Sequence, residues 1–110
     1  MFFRKKQEEL SDDQILDIYF ECLINLASSV VEDQQNDEFK AILKLDNDMK
    51  IVNIPTLTLN GSPIIPDPEI IARLNDTLYP ISQIDISRRP AELHMEYING
   101  GGDVTPKYRD

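Results

Sequence analysis

The amino-acid sequence predicts an α+β fold, in which two amphipathic helices pack on one face of an antiparallel sheet of four to five strands. Three observations predict it. A long helical pattern covers residues 10–33, a shorter one starts at Asp67, and short segments between and after them alternate apolar and polar residues. Most connections are short, which favours antiparallel neighbours. The predicted order of elements is α-β-β-(β)-α-β-β.

The first helix has the most completely specified start in the chain. Ser11 is a favourable N-cap, and Gln14 is placed to bond back to the cap's own N–H. Leu10 and Ile15 occupy the two positions of a hydrophobic staple. The apolar stripe that follows is broad, so we expect the helix to be buried along most of its length. The stripe comprises Ile15, Leu16, Ile18, Tyr19, Phe20, Cys22, Leu23, Ile24, Leu26, Ala27 and Val30.

The next segments predict strands and a turn. Phe39 to Leu45 alternates as a strand with one face on the core, and Met49 to Ile54 is its expected hairpin partner across an Asp-Asn-Asp turn. Pro55 interrupts strand pairing, so residues 56–60 are either a bent continuation or a separate strand. Asn60-Gly61 favours a two-residue turn.

The second half of the chain predicts a helix and a second hairpin. Asp67 as N-cap and Pro68 at the first helical position start the helix, and Pro80 ends it. Residues 84–86 and 93–97 are then expected to be the strands of the hairpin. Residues 1–9 are expected to be a frayed lead, and residues 99–110 a flexible glycine-rich tail.

Length and composition indicate one domain over residues 1–110 and an ordinary globular chain with 41% hydrophobic residues. The single cysteine, Cys22, lies on the apolar face of the first helix, which favours a reduced packing thiol and a cytoplasmic protein. No apolar run is long enough to predict a membrane span or a signal peptide.

Three patterns resemble chemical sites, and each has a simpler explanation. His94 lies between Glu92 and Glu96 on the outward face of a strand, with no second histidine to complete a metal shell. The Asp46-x-Asp48 pair lacks the glycine and the third ligand of a calcium loop. The glycines near residue 100 precede no helix that could hold a phosphate. We therefore expect no catalytic residue, no metal and no cofactor.

Acidic residues are concentrated in the first third of a chain whose net charge is −9. No Lys or Arg occurs between Gln7 and Phe39, whereas acids and bases are nearly balanced afterwards. A helix face of this kind is usually only solvated, but the absence of compensating bases also favours a basic protein partner and opposes direct nucleic-acid binding. The predicted partner-binding residues are Asp13, Asp17, Glu21, Glu32, Asp33, Asp37 and Glu38.

In size, charge and its order of helix, hairpin, helix and hairpin, the chain resembles the immunity proteins of bacterial contact-dependent inhibition and related polymorphic toxin systems. The resemblance implies an acidic inhibitor, not an enzyme, that binds and neutralises a cognate basic toxin domain, often a nuclease. A second resemblance is to the small acidic chaperones of type III secretion, which share the order α-β-β-β-α-β-β and usually end in a further helix. A phage-type DNA mimic is a third alternative.

Overall fold

The computed structural model, which describes residues 10–109, has two helices and a five-stranded antiparallel sheet, with the first helix packed on the sheet and the second helix packed against the first. The sheet order is β3-β2-β1-β4-β5. The α+β class and the long first helix are therefore confirmed. The elements are α1 (Asp12–Val30), β1 (Phe39–Lys44), β2 (Thr56–Leu59), β3 (Ser62–Ile64), α2 (Pro68–Leu78), two 3₁₀ turns (Tyr79–Gln83 and Ile86–Arg88), β4 (Glu92–Ile98) and β5 (Gly101–Lys107).

Both helices begin where the sequence predicts. The Ser11 side chain accepts a hydrogen bond from the Gln14 N–H at 3.2 Å, and the Gln14 side chain accepts one from the Ser11 N–H at 2.9 Å, which forms the capping box of α1. At α2, the Asp67 side chain accepts from the Glu69 N–H, and Pro68 is the first helical residue. Side chains therefore satisfy an otherwise unpaired N–H at each start.

The prediction of a strand over Met49–Ile54 is wrong. Met49 and Asn53 both have positive φ, at 62° and 64°, which interrupts an extended segment, and Ile51 makes only an isolated bridge to Leu45. The partner of β1 is instead β2, so residues 56–59 form the separate strand that the sequence left as one of two alternatives.

The predicted second hairpin is also displaced along the chain. Residues 84–86 form no strand: Ile84 is buried after the first 3₁₀ turn, and Asp85 caps the second by accepting from the Ser87 N–H. The partner of β4 is β5, so the prediction of a flexible tail is wrong for Gly101–Lys107. The frayed lead predicted for residues 1–9 lies outside the described residues.

The two β-hairpins of the sheet use the same turn chemistry. Asn60-Gly61 joins β2 to β3 with φ of 52° and 83°, and Asn99-Gly100 joins β4 to β5 with φ of 54° and 79°. Two consecutive positive φ values define the two-residue turn that matches the twist of antiparallel strands, and Asn-Gly accommodates them at low cost.

A single hydrophobic core lies between the helices and the sheet. It draws buried side chains from both helices and from β1, β2, β4 and β5. Helix α1 packs on β4 and β5 and against α2. Its approach to β5 is close, because a Cβ on Gly102 would lie 2.7 Å from Leu23 Cδ2. The glycine therefore places α1 directly over the edge strand. Within residues 10–109 no helix is long and apolar enough to cross a membrane.

Candidate functional site

Three predicted site residues form an oblique row on the solvent side of α1. Asp13, Asp17 and Glu21 are all exposed and follow one another at intervals of four residues. That interval corresponds to a rise of about 6 Å per step. Within residues 10–109 none of the three takes part in an ion pair. We call these three residues the carboxylate line. Their negative charges repel one another along the helix, and no basic residue within residues 10–109 forms an ion pair with them.

One basic residue reaches the start of the helix without neutralising the carboxylate line. Arg88 donates to Asp12 Oδ1 at 3.0 Å and to the Leu10 carbonyl at 3.1 Å. These bonds fix the N-terminal turn of α1 against the second 3₁₀ turn. No local pattern predicts the pairing of Arg88 with Asp12, because the two residues are 76 positions apart in the chain.

The loop after α1 uses two of the predicted site residues to hold its own shape. Asp37 Oδ2 accepts from the N–H groups of Glu32 and Asp33, both at 3.0 Å, and Asp37 Oδ1 accepts from Asn60 Nδ2 at 3.0 Å. Asp33 accepts from the N–H groups of Gln35 and Asn36 and from the Asn36 side chain. The loop is thus tied to itself and to the β2–β3 turn.

These hydrogen bonds favour the ionised form of both aspartates. The side-chain amide of Asn36 is the main cause that lowers the pKa of Asp33 below its usual value, and that of Asn60 lowers the pKa of Asp37 in the same way. The neighbouring Glu32 and Glu38 side chains are exposed. Hydrogen bonding therefore separates the predicted set into two groups. Within residues 10–109 the carboxylates of Asp33 and Asp37 accept the bonds that organise the loop, whereas five exposed carboxylates accept none: Asp13, Asp17, Glu21, Glu32 and Glu38.

The apolar stripe of α1 is buried along most of its length, as predicted, but two of its residues are exposed. Leu16 is 41% exposed and Ile24 is 63% exposed, and both lie on the flank of α1 beside β5. A groove of about 280 Å³ follows this flank and includes Phe20, Val31, Tyr97 and Gly102 in its lining. The exposure of Leu16 and Ile24 does not follow from periodicity, because periodicity alone does not show how far a helix extends past the edge of a sheet.

The histidine and the single cysteine lie where the sequence predicts, His94 on the outward face of a strand and Cys22 in the core. His94 Nε2 lies 2.7 Å from Glu92 Oε1, on the sheet face opposite the helices, together with Lys40 and Thr105. Among residues 10–109 no group of three potential ligands could hold a metal ion. Cys22 is fully buried, and burial raises the pKa of its thiol to about 12, so the thiolate nucleophile is suppressed.

The remaining calcium-like pattern is a turn. Asp46 Oδ1 accepts from the N–H groups of Asp48 at 2.9 Å and Lys50 at 3.0 Å, which is the bonding of an Asx turn and not of a vacant ion loop. The glycines near residue 100 belong to the β4–β5 hairpin.

Comparisons with protein-family models, with curated proteins and with solved structures find no match. Fold and site define a small α+β protein with an acidic, partly apolar helix surface. That surface is the candidate functional site.

Proposed function

We propose that this protein is an acidic inhibitor of the immunity type, which binds and neutralises a basic toxin domain, a nuclease in the simplest case, in the cytoplasm. The observation that carries the proposal is the carboxylate line, since Asp13, Asp17 and Glu21 are exposed and have no ion-pair partner within residues 10–109. A basic partner would relieve the repulsion among them and would be steered to α1 by their field.

The surroundings of the carboxylate line support a protein interface. Exposed apolar side chains of Leu16 and Ile24 lie next to the carboxylates, and protein interfaces combine an apolar centre with a polar rim. The capping box and the Arg88 bonds to the helix start hold α1 in place, so the surface is organised before the partner arrives. Preorganisation reduces the ordering cost of binding.

A test of the proposal uses the purified protein and the product of the neighbouring gene. We expect a stable complex in which the activity of the partner, for example DNA or RNA cleavage, falls in proportion to the inhibitor added. A partner with a near-neutral surface, or turnover of a substrate by the isolated protein, would contradict the proposal. Release of the partner by duplex DNA would instead indicate a DNA mimic.

A second candidate function is a secretion chaperone. The observed order α-β-β-β-α-β-β, which has three strands between the two helices, favours a chaperone, as do the exposed apolar residues on α1. The final described element is the strand β5, not a further helix. A stable dimer that protects a long unfolded stretch of its client from proteolysis would favour the chaperone over the inhibitor.

A further inference from the structure

The two edges of the sheet differ in how well they are protected. Strand β3 forms one edge and β5 the other. In β3, the backbone groups of Ser62 and Ile64 point toward β2. The backbone of Pro63, between them, points away from the sheet, and proline has no N–H. Proline on a short outer strand is a common protection against pairing with another chain. The β3 edge therefore offers no amide donor at its centre.

The β5 edge lacks this protection over most of its length. The Asn99-Gly100 turn makes Ile98 and Gly101 a hydrogen-bonded pair, so the alternation of an antiparallel ladder directs the backbone groups of Gly102 and Val104 away from β4. Only Pro106, the third outward residue, lacks an N–H. Within residues 10–109 no strand lies beyond β5.

The outer flank of α1 forms a cover above this edge. At the beginning of β5, Gly102 lies in one groove with Phe20 and Ile24. At its end, Pro106 lies in another groove with Leu16, Tyr19 and Tyr108. A sixth strand placed about 4.8 Å from β5 would pass beneath α1, and every second side chain would enter these grooves.

We propose that β5 and the outer flank of α1 together bind an extended segment of a partner protein, which adds a strand to the sheet. The inferred segment alternates apolar residues, which fill the grooves, with basic residues, which point to the opposite face of the sheet, where Glu96 and Asp103 lie. Charge complementarity argues for this occupant: the protein has a net charge of −9, no Lys or Arg occurs from Leu10 to Phe39, and Asp13 lines the groove at the end of β5. A second copy of this chain would bring two acidic helices together.

The basic character of the segment rests on the proposed function, whereas strand addition rests on the edge and the grooves alone. The test uses three nine-residue peptides with the full-length, ¹⁵N-labelled protein: one alternates Lys and Val, one alternates Ser and Val, and one alternates Lys and Ser. Binding is followed by fluorescence anisotropy, and amide hydrogen exchange of the protein is read by NMR.

We expect the Lys-Val peptide to bind most tightly and to slow exchange at the outward amides of Gly102 and Val104. The inward amides of Asp103 and Thr105, which already pair with β4, should change little. Ile24→Glu should weaken binding on the order of tenfold. The matched control Ile54→Glu, at another isoleucine that is 78% exposed, should change it less than about twofold.

Other outcomes distinguish strand addition on β5 from the basic character of the bound segment. If the Lys-Ser peptide binds equally well, or the Lys-Val peptide binds without protecting Gly102 and Val104, strand addition is overturned while the acidic surface stands. If the Ser-Val peptide binds and protects as well as the Lys-Val peptide, the basic partner is overturned. In the absence of peptide, hydrogen exchange at the Gly102 and Val104 amides could instead slow as the protein concentration rises. That result would show that a second copy of the chain binds β5, and it would overturn the inferred occupant.

Discussion

At the scale of single residues, two positions decide how α1 sits on the sheet. Gly102 leaves room for Leu23, and Cys22 fills the core at the point where α1 is fully covered. Neither role follows from a chemical motif. Both follow from volume, because the interior is close-packed and accepts little change in side-chain size.

Gly102→Ala should destabilise the fold by about 1 kcal/mol, because the new methyl group would lie 2.7 Å from Leu23 Cδ2 and the buried Leu23 side chain must leave its packed position to make room. Urea unfolding measures the change. Gly101→Ala is the matched control, since the nearest atom to its Cβ would be the Ile98 carbonyl oxygen at 3.7 Å. Equal stability of the two variants would show that α1 is not held by contact with β5.

Thiol labelling tests the packing of Cys22. Because burial raises the thiol pKa to about 12 from 9.0, the thiolate fraction at pH 8 should be on the order of a thousandfold lower in the folded chain than in the unfolded chain. Labelling with a disulfide reagent should therefore be slow until urea unfolds the protein. A Ser28→Cys, Cys22→Ala variant, with its thiol on the exposed side of α1, should react at once. Rapid labelling of native Cys22 would contradict the structure.

At the scale of elements, the sequence predicts best where a local signal is sufficient. The capping residues Ser11 and Asp67 specify both helix starts, and the alternation from Phe39 specifies β1. The Asn60-Gly61 dipeptide predicts its turn. The same dipeptide at residues 99–100 is followed by two more glycines, and together they suggest a flexible tail where the structure has a turn. Strand β5 was therefore missed as an element, and the β5 edge was missed with it.

The remaining errors come from long-range pairing. Residues 49–54 have a strand-like composition, yet positive φ at Met49 and Asn53 leaves β1 to pair with the segment after Pro55. Of the candidate site, the sequence predicts the carboxylate line, because its spacing is local. It could not predict that Leu16 and Ile24 are exposed, because that depends on where α1 crosses the sheet. The sequence also does not distinguish Asp33 and Asp37, whose carboxylates accept the hydrogen bonds of the loop, from the acids that accept none.

The loop after α1 should lose its order in acid. The folded pKa values of Asp33 and Asp37 lie below the usual 3.8, so their stabilisation is present above that pH and is lost as the pH falls through the lowered values. Exchange of the Glu32 and Asp33 amides should accelerate below about pH 3.8 beyond the intrinsic trend. Asp37→Ala should give the same acceleration at neutral pH, and Glu38→Ala should not. Unchanged exchange in the Asp37 variant would mean that other contacts hold the loop.

At the scale of the whole molecule, charge and shape are distributed unevenly. The sheet face opposite the helices mixes acids and bases, for example Glu96 beside Lys40, whereas α1 and the loop after it carry carboxylates without compensating Lys or Arg in the same stretch. The carboxylate line, the apolar grooves and the open β5 edge all lie on or beside α1. A partner that uses all three would approach from this one side.

The dissociation constant of the complex with the basic partner, measured against salt concentration, tests the central claim most directly. We expect affinity to fall as salt rises, and the triple variant Asp13→Asn, Asp17→Asn, Glu21→Gln to bind roughly tenfold more weakly at low salt. The control triple variant Asp48→Asn, Glu69→Gln, Asp76→Asn changes net charge equally at exposed positions outside α1 and the loop after it, and it should retain most of the affinity. An affinity that is indifferent to salt, or that is equal in the two triple variants, would contradict the account.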